Sequence, residues 1–190
     1  MKFTLFAVSV LLSFNLSLAA LVEENKLIAR GREEPRRKHI CDPRRRREAV
    51  PLLRAYNSKI TDHFYTTDRR EWQQAINKLG YKQEPAQGRV FNREQPGTVP
   101  LYRLYSKRLQ DHFYTTSRRE RSKAVNDLGY RFGGITAYIY PSELCGSIPL
   151  YRMYNPQAKD HFYTTSKEER DNAAQAGWNG EGIAGYIFPL

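Results

Sequence analysis

Long apolar runs are missing from this chain: past the N-terminus no segment approaches the ~20 apolar residues that a membrane-spanning helix needs, so no transmembrane segment is expected. The one run present follows Lys2 and continues to Leu18, too short to span, with small residues Ser17, Ala19 and Ala20 offering a cleavage site. This pattern predicts a secretory signal peptide over residues 1–19 and a secreted, extracellular product. Cysteine is scarce as well. The chain has two, Cys41 and Cys145, and in an oxidising compartment the expectation is one disulfide between them, with intermolecular pairing or free thiols as alternatives. Catalytic signatures are also lacking. No serine occupies a Gly-x-Ser-x-Gly elbow, and Gly133-Gly134 and Gly180-x-Gly182 open strands rather than the helix a phosphate loop requires. No Asn-x-Ser/Thr acceptor lies outside the signal peptide. No cofactor is expected, and the chain is not read as an enzyme.

Charge is abundant but uneven. The formal net charge is +11, yet residues 1–47 hold 11 Lys/Arg against 5 Asp/Glu, leaving 20 against 15 for the remainder. Residues 20–48 read as a basic, poorly ordered leader or propeptide, with Arg36-Arg37-Lys38 and the run Arg44-Arg45-Arg46-Arg47. Such runs resemble processing sites, and cleavage after Arg47 is one expectation. Because half of the excess lies in this tail, no specific nucleic-acid partner is expected.

The rest of the chain repeats. Asp62-His63-Phe64-Tyr65-Thr66-Thr67 recurs as Asp111 to Thr116 and as Asp160 to Thr165, each histidine 49 residues after the last. Residues 49–190 are read as one domain of three copies, 51–91, 100–140 and 149–188. Each copy opens on a Pro-Leu strand, as in Leu101-Tyr102-Arg103-Leu104-Tyr105, turns, and returns through the Asp-His-Phe-Tyr-Thr-Thr strand, with Phe64, Phe113 and Phe162 directed to the core. A capping box then starts a helix: Asp68 to Glu71, Ser117 to Glu120, Ser166 to Glu169. The expected buried stripes are Trp72, Ala75, Ile76 and Leu79; Ala124, Val125 and Leu128; Ala173 and Ala174. Gly80, Gly129 and Gly177 stand at the helix ends. An aromatic-aliphatic strand closes each copy and is weakest in the first, Gly88-Arg89-Val90-Phe91. The fold class expected is a β-rich α+β fold: three β-β-α-β repeats in one compact pseudo-threefold domain, β-trefoil-like or a similar closed array, since ~40 residues cannot bury a core alone.

Copy three, with Pro149-Leu150-Tyr151-Arg152-Met153-Tyr154-Asn155, Asp160 to Thr165, Ala176-Gly177-Trp178 and Glu181 to Ile187, resembles a domain-of-unknown-function repeat found in secreted proteins. Copy two has Gly133 where Glu181 stands. The resemblance covers residues 51–188 and carries no established activity. It implies a surface- or carbohydrate-binding module, because such repeats accompany hydrolase domains in extracellular proteins.

The leading functional expectation is a secreted, non-enzymatic recognition module that binds an extracellular glycan or surface ligand through equivalent sites. The residues expected to form them are Arg54, Asp62, His63 and Tyr65; Arg103, Asp111, His112 and Tyr114; and Arg152, Asp160, His161 and Tyr163. Aromatic faces stack on sugar rings while Asp, His and Arg supply directional hydrogen bonds. Two alternatives stand beside it. His63, His112 and His161 on a threefold axis would give a three-His metal site for a hydrolase, and the basic leader would suit an antimicrobial or anionic-surface binder. The sequence leaves the oligomeric state open.

Overall fold

The structure, a computed structural model, describes residues 19–23, 25–27 and 40–190. Apart from Ala19, the expected signal peptide lies outside the described residues, as do Glu24 and residues 28–39 of the expected leader. The chain divides into two units, residues 1–42 and 43–190. In the first, residues 19–23 and 25–27 are helical, and Lys26 Nζ lies 3.7 Å from Glu23 Oε2. Both cysteines are disulfide-bonded, as the expected Cys41–Cys145 bridge requires. Among the described residues no helix is long and apolar enough to cross a membrane.

The second unit opens on a short helix α1 (Pro43–Arg46), followed by the three copies. Copy one comprises β1 (Val50–Pro51), β2 (Leu53–Asn57), β3 (Asp62–Thr66), α2 (Arg69–Lys78), β4 (Lys82–Glu84) and β5 (Arg89–Val90). Copy two comprises β6 (Val99–Ser106), β7 (Asp111–Thr115), α3 (Arg118–Asp127) and β8 (Arg131–Ile139). Copy three comprises β9 (Ile148–Asn155), β10 (Asp160–Thr164), α4 (Lys167–Gln175) and β11 (Asn179–Ile187). Each builds a three-stranded antiparallel sheet in one order, β3-β2-β4, β7-β6-β8 and β10-β9-β11, with β2, β6 and β9 at the centre, and β1 pairs with β5 in a separate two-stranded sheet. In copy one the closing strand is interrupted between β4 and β5, where Pro85 has no N–H to donate to a ladder.

The helix starts follow the caps. The side chains of Asp68, Ser117 and Ser166 accept from the backbone N–H of Glu71, Glu120 and Glu169. The reciprocal half of the expected capping box is not made. The cap N–H groups of Asp68, Ser117 and Ser166 donate to Thr66, Thr115 and Thr164 Oγ1, each at 3.0 Å, which leaves the three glutamates for another partner. Gly80, Gly129 and Gly177 end the helices at positive φ, 79°, 76° and 90°.

The helices bury far less than the sequence predicts. Only Ala75 and Ala124 are buried; Leu79, Val125 and Leu128 are exposed, Trp72 and Ile76 are half-buried, and α4 buries no residue. In α2, Trp72 and Ile76 pack against the small cluster around Ala75 without being buried, and in α3 the cluster is reached through Ala124.

The phenylalanines are buried as expected, Phe64 and Phe113 in small core clusters local to each copy. Phe64 packs locally with Ala55, Ala75 and Tyr81 beneath α2, and Phe113 with Leu104, Ala124 and Tyr130 beneath α3. The opposite face supplies the main core: Tyr65, Tyr114 and Tyr163 meet Leu52, Leu101, Leu150, Ile139 and Ile187. A second three-membered aromatic cluster forms from the strand ends, where Phe91, Tyr140 and Phe188 stand edge-on with ring centroids 5.7 to 6.1 Å apart. The ends of β5, β8 and β11 are joined there by the isolated bridges Phe91↔Tyr138, Tyr140↔Tyr186 and Arg89↔Phe188. The fold is thus a β-rich α+β arrangement of small sheets without a closed barrel.

Candidate functional site: clefts between neighbouring copies

Most of the repeated hexapeptide links each copy to its neighbours. Tyr114 Oη donates to Tyr65 O at 2.8 Å and accepts from Tyr65 N at 2.9 Å. Tyr163 does the same to Tyr114, and Tyr65 to Tyr163, so six hydrogen bonds form a closed cycle. The tyrosines are 1% exposed, and burial pushes the Tyr65, Tyr114 and Tyr163 phenols well above their ordinary value, keeping them neutral donors.

Asp62, Asp111 and Asp160 are fully buried, with carboxylate oxygens within 4.8 Å of one another. Each is offset by the histidine of the following copy. His112 places its N–H 2.9 Å and its Nδ1 2.7 Å from Asp62; His161 places the same pair at 2.9 and 2.7 Å from Asp111; His63 returns to Asp160 at 3.1 and 2.6 Å. Tyr81 and Tyr130 hydroxyls also donate to Asp62 and Asp111. Copy three has Trp178 at that position, packed on Phe162. Burial raises the Asp160 carboxyl above its ordinary value despite the lowering by His63. Among the described residues, then, the side chains that meet at metal-ligand spacing are the three aspartates and not the three histidines. The reason is that each imidazole is turned by its Nδ1 onto a neighbour's carboxylate, so the ring edges do not converge.

The arginines follow the same cyclic rule. Arg54 grips Glu169 with two bonds of 3.0 and 2.8 Å, Arg152 grips Glu120 with two of 3.0 Å, and Arg103 reaches Glu71 at 2.8 Å. The Glu120 carboxyl is held below its ordinary value chiefly by the Arg152 bonds, with Thr115 assisting. For Glu169, burial pulls upward, but the bonds from Arg54 and Thr164 prevail and its value is also lowered. In two junctions a second carboxylate brackets the guanidinium: Arg54 Nε lies 2.8 Å from Glu84 Oε2 and Arg152 Nε 2.9 Å from Glu181 Oε2.

Two of the junctions open into clefts. Between copies two and three a cavity of about 190 Å³ is lined by Phe113, Glu120, Lys123, Arg152, His161 and Glu181, among others. The corresponding cleft between copies one and two is the larger of this pair, about 340 Å³, and is lined by Phe64, Glu71, Leu79, Arg103, Tyr105 and His112, with Gly133 at its edge, while a further cavity of about 560 Å³ lies on the other side of Glu120, Arg152 and Glu181 between copies two and three. Leu79 is 64% exposed and Tyr105 half-buried, so the cleft between copies one and two presents both apolar and aromatic surface.

Of the residues expected to bind ligand, Arg103, His112, Arg152 and His161 line these clefts. Arg54 is buried and His63 half-buried in the remaining junction, while the three aspartates and three tyrosines lie beneath the surface within the inter-copy network. The glutamates of the helix first turn were absent from the expected set because a capping box already accounts for them in sequence. Their recurrence at the same period as the arginines is the signal that could have found them.

No curated protein and no solved structure matches the chain. A family model does, over residues 51–188, the three copies together, and the chain therefore belongs to the family described as a domain of unknown function, DUF5648.

Proposed function

We propose that this chain is a secreted, non-enzymatic recognition module that binds an extracellular glycan or surface ligand at the junctions of a pseudo-threefold array. The observation that carries this reading is the pair of corresponding clefts, each combining arginine, histidine and apolar side chains that two copies contribute jointly. A shallow site with few directed polar groups and an apolar floor suits a sugar ring, whose hydroxyls need hydrogen bonds and whose C–H face needs apolar contact. The cyclic Tyr, Asp-His and Arg-Glu linkages support the pseudo-threefold arrangement, since every linkage runs from one copy to the next and returns to the first. They also support a passive role for the histidines, whose Nδ1 atoms are engaged by buried carboxylates.

The test is a glycan array probed with the purified full chain over a range of salt concentrations. Saturable binding to a defined glycan set, weakened by Arg103→Ala and His112→Ala with the fold retained by circular dichroism, is the expected result. Absence of binding at every salt concentration removes the glycan reading.

A further inference from the structure

One difference among the three junctions lies on the third strand. In the junctions of Arg54 and Arg152, the third strand supplies Glu84 and Glu181, whose Oε2 atoms stand 2.8 and 2.9 Å from the arginine Nε and 3.9 and 3.5 Å from His63 and His161 Nε2. At the junction of Arg103, the residue in that place is Gly133. Its backbone does approach Arg103: a Cβ there would lie 3.2 Å from Arg103 Nε. The carboxylate is what is missing. Among the described residues Glu71 is the one carboxylate paired with Arg103, and the Arg103 side chain is 21% exposed where Arg54 and Arg152 are 5% and 12%. The space opens into the cleft between copies one and two.

We propose that the cleft between copies one and two is a carboxylate-binding subsite, in which the acid group of a uronate-containing glycan takes the place beside Arg103 and His112 that Glu84 and Glu181 fill in the other junctions. This rests on the glycan reading above and names the ligand class. The molecule itself supplies the precedent. At two junctions one guanidinium meets two carboxylates, one hydrogen-bonded to its terminal nitrogens and one in ion-pair contact beside Nε without a hydrogen bond there, so a second acid is accommodated without displacing the helix glutamate. Arg103 keeps Nη1 on Glu71 and reaches the Gly133 carbonyl with Nη2 at 3.4 Å, and its Nε, beside Gly133, faces no carboxylate among the described residues. A guanidinium whose side edge is held only by one long bond recognises an acid group better than a neutral group of similar bulk, because its donors match two oxyanion oxygens, and the glutamates at the other junctions mark that acid as a carboxylate. His112 contributes the second wall. Its Nδ1 is tied to Asp62 and the residue lines the cleft, whereas at the other two junctions the histidine Nε2 lies 3.9 and 3.5 Å from a glutamate. Tyr105, stacked on His112 with ring centroids 4.5 Å apart, supplies the half-exposed ring on which a sugar face can lie. Glu71 is the one acid lining the cleft, and it is already neutralised by Arg103.

The experiment titrates the full chain calorimetrically with a galacturonate trimer and with the galactose trimer obtained by reducing its carboxyl groups, alongside the variants Gly133→Glu, Arg103→Lys and Glu181→Gly. Binding of the galacturonate trimer, at least about tenfold weaker for its reduced counterpart, is expected from the loss of one charge-assisted contact. Gly133→Glu should abolish that binding while raising thermal stability, because it completes the ion pair found at the other two junctions. Arg103→Lys, which keeps the charge and loses the fork, should weaken binding if Gly133→Glu does not fold. Glu181→Gly should leave the first site intact. Equal binding of both trimers, or binding untouched by both Gly133→Glu and Arg103→Lys, overturns the subsite and leaves the glycan reading standing. Failure of both trimers here, together with a silent glycan array, overturns the two together.

Discussion

Tyr114 carries more at one atom than its residue type suggests. Its hydroxyl satisfies both the N–H and the carbonyl of Tyr65 inside the core. Tyr114→Phe keeps the ring and leaves two buried backbone groups without a partner, each costing about 1–3 kcal/mol. Urea denaturation of the variant should therefore show a loss above about 2 kcal/mol, and a loss under about 0.5 kcal/mol, the level of an ordinary surface change, would contradict the cycle. The aspartates make a graded set by the same reasoning. Asp62 and Asp111 accept from a histidine and a tyrosine hydroxyl, whereas Asp160 relies on His63. Asp62→Ala strands the His112 and Tyr81 donors together, and it should destabilise by more than about 2 kcal/mol, since each buried donor left unsatisfied costs about 1–3 kcal/mol. Asp160→Ala should cost less in the same denaturation assay.

Within each copy, the first helical turn joins local and long-range structure. Ser117 caps α3, and Ser117→Ala should cost about 1 kcal/mol in a thermal melt. Glu120, three residues on, belongs to the junction with Arg152. Its folded value and that of Glu169 lie below the unfolded value, so the stability they add is fully present above about pH 4.3 and is lost as pH falls through their lowered folded values. Asp160 runs the other way. Its folded value is raised, so its contribution is present below the unfolded value and lost as pH rises through the folded one. The expected melting curve loses stability on acidification below about pH 4.3, and the double variant Glu120→Gln, Glu169→Gln should flatten that limb; an unchanged limb would show that the junction pairs do not set it. At the closing strand, a Cβ on Gly185 would lie 2.4 Å from Ile139 Cδ1 and 3.1 Å from Tyr140 O. Gly185→Ala should cost about 1–3 kcal/mol through overpacking, measurable in the same melt.

For the whole repeat domain, closure is the stabilising principle. Asp from one copy meets His from the next, Glu meets Arg, and the second threonine donates to a neighbouring third strand or its equivalent: Thr67 to Thr136 O, Thr116 to Ala184 O, Thr165 to Gln87 O. A single copy cut from this arrangement loses its partners for buried aspartate and tyrosine at once. A peptide of residues 100–148 should therefore be unfolded by circular dichroism, and a folded one would show that a copy stands alone.

The repeat period, the order of strands and helix, the helix caps and the C-terminal glycines were all legible in the chain, because they depend on neighbours a few residues away: a cap oxygen meets an N–H three residues on, and a glycine tolerates positive φ where it stands. The Asp-His-Phe-Tyr-Thr-Thr strand was legible as a strand but not in its orientation. Period-2 alternation separates two faces without saying which one meets the larger core, and here phenylalanine serves the local cluster while tyrosine serves the central one. The helix stripes were overread, since helical spacing shows which residues share a face and not how much sheet lies beneath it. Tertiary structure alone decided which copy each histidine, arginine and glutamate would face, because those contacts join residues 32 to 115 positions apart. It also decided the meaning of Gly133: in sequence a departure from the repeat, in space the opening beside Arg103 where two other junctions hold a carboxylate.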